Sequence, residues 1–99
     1  MAATATTEHD GDTLHIRGDL DFASVADLLA ATEALFRAEP IHWIDLSGVR
    51  RSNSAGVALL VEWLRQAQHR QQKLIFINIP AQMRAIIRVV DLETVLPVA

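Results

Sequence analysis

The 99-residue sequence contains no cysteine. That excludes a disulfide framework, a thiolate metal site and a cysteine nucleophile, and it fits a reducing compartment. Long apolar runs are missing as well. The longest, Val57–Val61 and Leu74–Ile77, fall far short of the ~20 residues that a membrane-spanning helix needs. The opening Met1-Ala-Ala-Thr-Ala-Thr-Thr-Glu8 lacks the basic start and apolar segment of a secretory signal, so a cytoplasmic protein without membrane insertion is expected.

Signatures of catalysis are equally scarce. The stretch from Gly48 to Gly56 lacks the Gly-Lys-Ser/Thr ending of a phosphate-binding loop. Asn53-Ser54-Ala55-Gly56 lacks the glycine two residues before the serine that a nucleophile elbow requires. His9, His15, His42 and His69 are scattered, with no pair at the spacing of a helix-borne metal site. His15 and His42 fall on expected strands and could meet there as structural residues. No base can be assigned beside Ser54. The expectation is a non-enzymatic protein with neither metal nor cofactor.

Charge is present but unevenly spread. Residues 1–49 carry nine acidic and two basic side chains, a balance of −7, and residues 50–99 carry seven basic and three acidic ones, a balance of +4. Such a split either builds a molecule with one acidic and one basic face or averages out in the fold. The total of −3 is too acidic for general nucleic-acid binding.

What is there reads as one domain, residues 1–99, in which strands alternate with helices. Thr4–His9 and Thr13–Arg17 are β-branched segments around Asp10-Gly11-Asp12, and the Asp-Gly pair predicts a tight antiparallel hairpin. Gly18-Asp19-Leu20-Asp21 is expected to break the second strand and lead into a helix from Phe22 or Ala23 to Phe36. Val25, Leu28, Leu29, Leu35 and Phe36 form its apolar face, and Ala38-Glu39-Pro40 ends it. His42–Leu46 reads as a short strand. A helix from Ser54 to about Gln72 follows, with Val57, Leu60, Val61, Leu64 and Ala67 or Gln68 buried and Arg65, His69 and Arg70 in solvent. Leu74–Asn78 reads as a strand covered on both faces. Pro80 opens a third helix to about Val90, with Met83, Ile86, Ile87 and Val90 inward. Leu92–Val98 suits either a short helix or a strand. The order predicts an α/β fold with an antiparallel hairpin at one edge of a largely parallel sheet.

The densest stretch is Asp45-Leu-Ser-Gly-Val-Arg-Arg-Ser-Asn-Ser-Ala-Gly56, running from a strand into the apolar helix Val57–Leu64. Backbone N–H groups left unpaired at a helix start, together with the helix dipole, favour negative charge there. Ser52, Asn53 and Ser54 are all competent N-caps. Ala55 and Gly56 would keep the surface beside Ser54 flat and open to a docked protein or a kinase. Arg50 and Arg51 would either pair with a phosphate on Ser54 or remain solvated. Trp63 lies off the main stripe, and either folds over a neighbouring helix or is an exposed anchor for a partner. Leu20 and Phe22, on either side of Asp21, raise the same question.

Three segments, Gly18-Asp-Leu-Asp21, Ile44-Asp-Leu-Ser47 and Ser52-Asn-Ser-Ala-Gly56, together resemble the STAS domain of sulfate transporters and anti-sigma factor antagonists. The resemblance spans nearly the whole chain and implies a small mixed sheet with helices mainly on one side. Anti-sigma factor antagonists open the corresponding helix with Asp-Ser-Ser-Gly and are phosphorylated on the first serine. Ser54 matches that phosphoacceptor, and Asn53 stands where they have aspartate. The MlaB-type branch resembles the chain more closely. It opens the helix with Asp-Thr-Gly-Gly or a relative followed by Leu-Ala-Leu-Leu, against Asn53-Ser54-Ala55-Gly56 and Val57-Ala58-Leu59-Leu60 here, and it ends soon after a Leu-Pro such as Leu96-Pro97. This resemblance implies an accessory subunit, peripheral to the inner membrane, that binds the ATPase subunit of the Mla phospholipid ABC transporter. It also implies a contact surface at Ser52, Asn53, Ser54, Ala55 and Gly56, with Asp21 nearby. The alternative is an anti-sigma factor antagonist switched at Ser54.

Overall fold

A computed structural model describes residues 5–99. In chain order the elements are β1 (Ala5–Asp10), β2 (Thr13–Leu20), α1 (Phe22–Ala38), β3 (Trp43–Ser52), α2 (Ser54–His69), β4 (Ile75–Ile77) and α3 (Ala81–Val89). The expected hairpin forms, apart from Thr4, which lies outside the described residues. Its two loop residues are Gly11 and Asp12, one position later than the Asp-Gly pair. Asp10 pairs with Thr13, and Gly11 takes the positive φ of 61° that a side-chain-bearing residue resists.

The four strands form one sheet in the order β1-β2-β3-β4, antiparallel between β1 and β2 and parallel thereafter. Because the parallel strands are added in one direction, right-handed crossovers place every helix on the same face. That face carries Leu14, Ile16, Leu20, Ile44, Leu46, Val49 and Phe76, all buried. The last residues continue the pattern. Phe76 N–H donates to Pro97 O at 2.9 Å, and Ala99 N–H donates to Phe76 O at 3.1 Å. The segment read as helix or strand is thus a turn ending in a single parallel bridge, Phe76 to Val98.

Three expectations about the strands need correcting. Gly18-Asp19-Leu20 does not break β2, which runs on to Leu20 beside β3. β3 extends past Leu46 to Ser52. It carries extra residues where the register shifts between His15 and Arg17 and between Gly18 and Asp19, so its buried positions fall at 44, 46, 49 and 52. A bulge inserts a residue and resets the alternation, which is why period-two reading stops at the first one. β4 is not covered on both faces: Phe76 is buried, while Ile75 and Ile77 are only half-buried on the open face. There they adjoin Trp43 and Asp45 in register.

A polar tie crosses that open face. Asp45 accepts from His15 Nδ1 at 3.0 Å, from the Ser47 N–H at 2.9 Å and from Asn78 Nδ2 at 3.1 Å. Partial burial pushes its carboxyl up, but the hydrogen bonds from Ser47, Asn78 and His15 outweigh burial and hold it at about 2. His42 does not pair with His15. Its ring bonds the Lys73 carbonyl instead.

The helices pack unequally. Trp63 is fully buried between α1 and α2, its Nε1–H donating to Thr32 Oγ1 at 3.1 Å and its ring 6.1 Å from that of Phe36. The core alternative for Trp63 is the one that holds, and the indole N–H has the partner that a buried indole needs. Arg70, expected in solvent, is half-buried with its guanidinium 5.4 Å from the Phe36 ring centre. Gln68 is exposed, so Ala67 completes the α2 stripe. Val90, expected inward on α3, is 47% exposed.

Sheet order repeats sequence order, and where the two halves of the chain meet, Asp19 of β2 lies in register with Arg51 of β3.

Candidate protein-docking site at the start of α2

The C-terminal ends of β2 and β3 lie side by side, with Leu20 paired to Ser52, so α1 and α2 begin next to each other. Each start has a side-chain cap: Asp21 on α1 and, of the three candidates on α2, Asn53. Asp21 accepts from the Ser24 N–H at 2.8 Å while Ser24 Oγ accepts from the Asp21 N–H at 2.9 Å, a reciprocal capping box. Asn53 caps α2, its Oδ1 accepting from the Ala55 N–H at 2.8 Å.

Capping by Asn53 leaves Ser54 free of that duty. Ser54 is the first residue of α2 and is exposed. Its hydroxyl stands where the helix dipole favours anions and acceptors.

The neighbouring small residues do something other than flatten the surface. Ala55 and Gly56 are buried. A Cβ on Gly56 would collide with Ser52 Oγ and press on Leu20 Cβ at 3.0 Å, so glycine is what lets α2 close onto β2. Ser52 is also buried, its Oγ donating to Asn53 O at 2.9 Å and its N–H to Gln82 Oε1 at 2.7 Å. Of the residues expected to contact a partner, Asn53 and Ser54 present themselves to solvent and Asp21 is half-buried. Ser52, Ala55 and Gly56 are the scaffold beneath. Gln82, not singled out from the sequence, is the brace from α3.

Around this site Leu20 is buried and Phe22 is 75% exposed, so of the two residues beside Asp21 only Phe22 is available as an anchor. Arg50 Nε lies 3.5 Å from Asp19 Oδ1, whereas Arg51 is exposed. A shallow polar recess of about 340 Å³ is lined by Asp19, Asp21, Arg51, Asn53 and Gln82, among others. On the other side of Ser54 an apolar furrow of about 330 Å³ runs between α2 and α3. Among the described residues no group of three or more His, Asp or Glu side chains could hold a metal.

A family model described as the Mlab, STAS domain matches residues 3–97. The chain belongs to this STAS family. No curated protein matches the sequence significantly. Among solved structures, the STAS chain is similar to the anti-sigma factor antagonist SpoIIAA in its unphosphorylated form. That match has a TM-score of 0.72 at 20% identity and covers 96% of this chain and 87% of the other. It is also similar to an anti-sigma factor antagonist from Mycobacterium paratuberculosis, with a TM-score of 0.73 at 22% identity over 99% and 87% of the two chains. At these identities the likeness speaks for the fold. No helix among the described residues is long and apolar enough to cross a membrane.

Proposed function

We propose that this STAS domain is a non-enzymatic accessory subunit that docks on the ATPase of a phospholipid-moving ABC transporter, with Asn53 and Ser54 at the centre of the contact. The MlaB label of the matching family supports the transporter reading. The observation that carries the site is that Asn53, not Ser54, caps α2, so Ser54 is left exposed at the positive end of a helix without the capping role. The subunit would act by differential binding, favouring one arrangement of the ATPase only as far as its affinities for two arrangements differ. Its place would be the cytoplasmic side of the inner membrane, held there by the partner.

A second reading remains: the exposed Ser54 as a phosphoacceptor in an anti-sigma factor antagonist. A phosphate would add about −1.5 to −2 charges beside Arg51 and change which partner fits.

Purification of the tagged protein from its own host, as wild type and as Ser54→Arg, separates the two. Recovery of an ABC ATPase with its membrane subunits, lost in the variant, is the expected result. Recovery of a kinase-like anti-sigma factor, with phosphate on Ser54 by mass spectrometry, reverses the ranking.

A further inference from the structure

We propose that β1 is a self-association edge. Two copies of the chain pair β1 against β1, antiparallel, about a two-fold axis through Thr7, and their two four-stranded sheets become one. The inference is independent of the docking role above, because β1 is the margin strand of the sheet and takes no part in the turn at Ser54.

The edge is open and unguarded. β1 has six residues, pairs with β2 without a bulge, and contains neither proline nor lysine, the usual guards of an edge strand. β4, at the other margin, has three residues and is partly covered by the C-terminal tail. Among the described residues no strand lies outside β1, and Thr6 to Asp10 are all exposed. The hairpin decides which backbone groups are free. Asp10 and Thr13 close its two-residue loop, so they exchange ladder hydrogen bonds, and Asp10, Glu8 and Thr6 turn their N–H and C=O toward β2. Asp12 O turns the other way, to the N–H groups of His42 and Trp43. On β1 the alternation leaves Ala5, Thr7 and His9 with their backbone groups facing outward.

That alternation selects the register. An antiparallel copy must set outward residues against outward residues, so the two-fold axis passes through a residue rather than between two. Through Glu8 it would set Glu8 against Glu8, and through His9 it would set Glu8 against Asp10. Both place like charges directly opposite each other, which is destabilising. Through Thr6 it leaves only residues 5 to 7 paired among those described. Through Thr7 it pairs Thr7 with Thr7, Thr6 with Glu8 and Ala5 with His9, with no like charges opposed. Thr6 is also in register with Arg17, which pairs with Glu8 of its own chain at 3.1 Å. Each Glu8 then lies across the second copy's Thr6 from the second copy's Arg17, so acid and base alternate around the axis. The axis is perpendicular to the sheet, which keeps both helix layers on one face and sends the two Ser54 turns to opposite ends. An extended strand of another protein would satisfy the same backbone groups, but the match of this edge to itself favours a second copy.

The test is sedimentation velocity of the full chain over a range of concentrations, as wild type and as Thr7→Pro. Proline there removes an outward N–H and no bond of the β1–β2 ladder, so the melting temperature of the dilute protein should be kept. The expected result is a wild-type dimer that dissociates on dilution, with its dissociation constant raised about tenfold or more by Thr7→Pro. Register is read separately. The chain has no cysteine, so Thr7→Cys carries a lone thiol at the axis, where a Cα separation of about 5.5 Å permits a disulfide. Oxidation should link it about tenfold faster than Thr6→Cys, whose thiol stands opposite Glu8 rather than its own copy. A wild-type chain that stays monomeric at every concentration overturns the inference, as does a dimer that Thr7→Pro leaves intact. Equal or faster linkage through Thr6→Cys overturns the register. Loss of a different co-purifying protein in Thr7→Pro, from a wild type that does not self-associate, gives the edge to that protein's strand and overturns the assigned occupant. Docking at Asn53 and Ser54 is read by Ser54→Arg and stands or falls apart from these results.

Discussion

Helix α2 has two flanks, and they are finished differently. Toward α1 the seam is closed by Trp63, fully buried, with its ring against Phe36 and its N–H on Thr32. Toward α3 the seam is left unfilled, and valines and an isoleucine line a furrow of about 330 Å³. Both flanks are apolar, so hydrophobicity alone does not separate them. Side-chain size and a satisfied polar handle do. Filling one seam with a tryptophan fixes α1 against α2, whereas the other seam stays shallow and apolar.

The contrast can be broken by substitution. Trp63→Ala, measured by urea denaturation, should cost about 3–5 kcal/mol, because a large cavity opens between packed helices. A loss as small as that of a surface change would mean the α1–α2 seam is not closed at all. Thr32→Val keeps the shape but leaves the indole N–H without its acceptor, for an expected cost of about 1–3 kcal/mol. An unchanged midpoint would show that water reaches that N–H. On the open flank, Val90→Ala should alter stability by less than about 0.5 kcal/mol, since Val90 is already 47% exposed. A cost comparable to that of Thr32→Val would place Val90 in the core and remove the distinction between the flanks.

Much of this was legible in the residues. The caps are local chemistry: Asp21 and Asn53 fulfil it with partners two or three residues away. The order of strands and helices followed from periodicity, and periodicity failed where its assumption failed. β3 contains inserted residues that reset inward and outward positions, so its alternation looks spent at Leu46 although pairing continues to Ser52. β4 looks like a central strand because three apolar residues stand together. Yet Ile75 and Ile77 gain their partial cover from Trp43 and Asp45 beside them rather than from a second layer of helices. At the candidate site, residue type pointed to the right turn but not to the division of labour within it. Which of Ser52, Asn53 and Ser54 faces water depends on the helix phase, and that is set by Gly56 closing on Leu20 and Ser52. Gln82 lies thirty positions from Ser52, a distance over which local pattern carries no information.

The C-terminal residues that bond to Phe76 have a consequence for assembly. An open sheet with two bare margins can accept copies of itself at both, and such growth has no natural end. Here the β4 margin is occupied by the chain's own last residues, and β1 is the margin left, carrying Glu8 and Asp10. Strand-to-strand pairing through β1 alone stops at two chains. Among the described residues, Pro97 to Ala99 thus cover part of the β4 margin and leave β1 as the more open edge for strand addition.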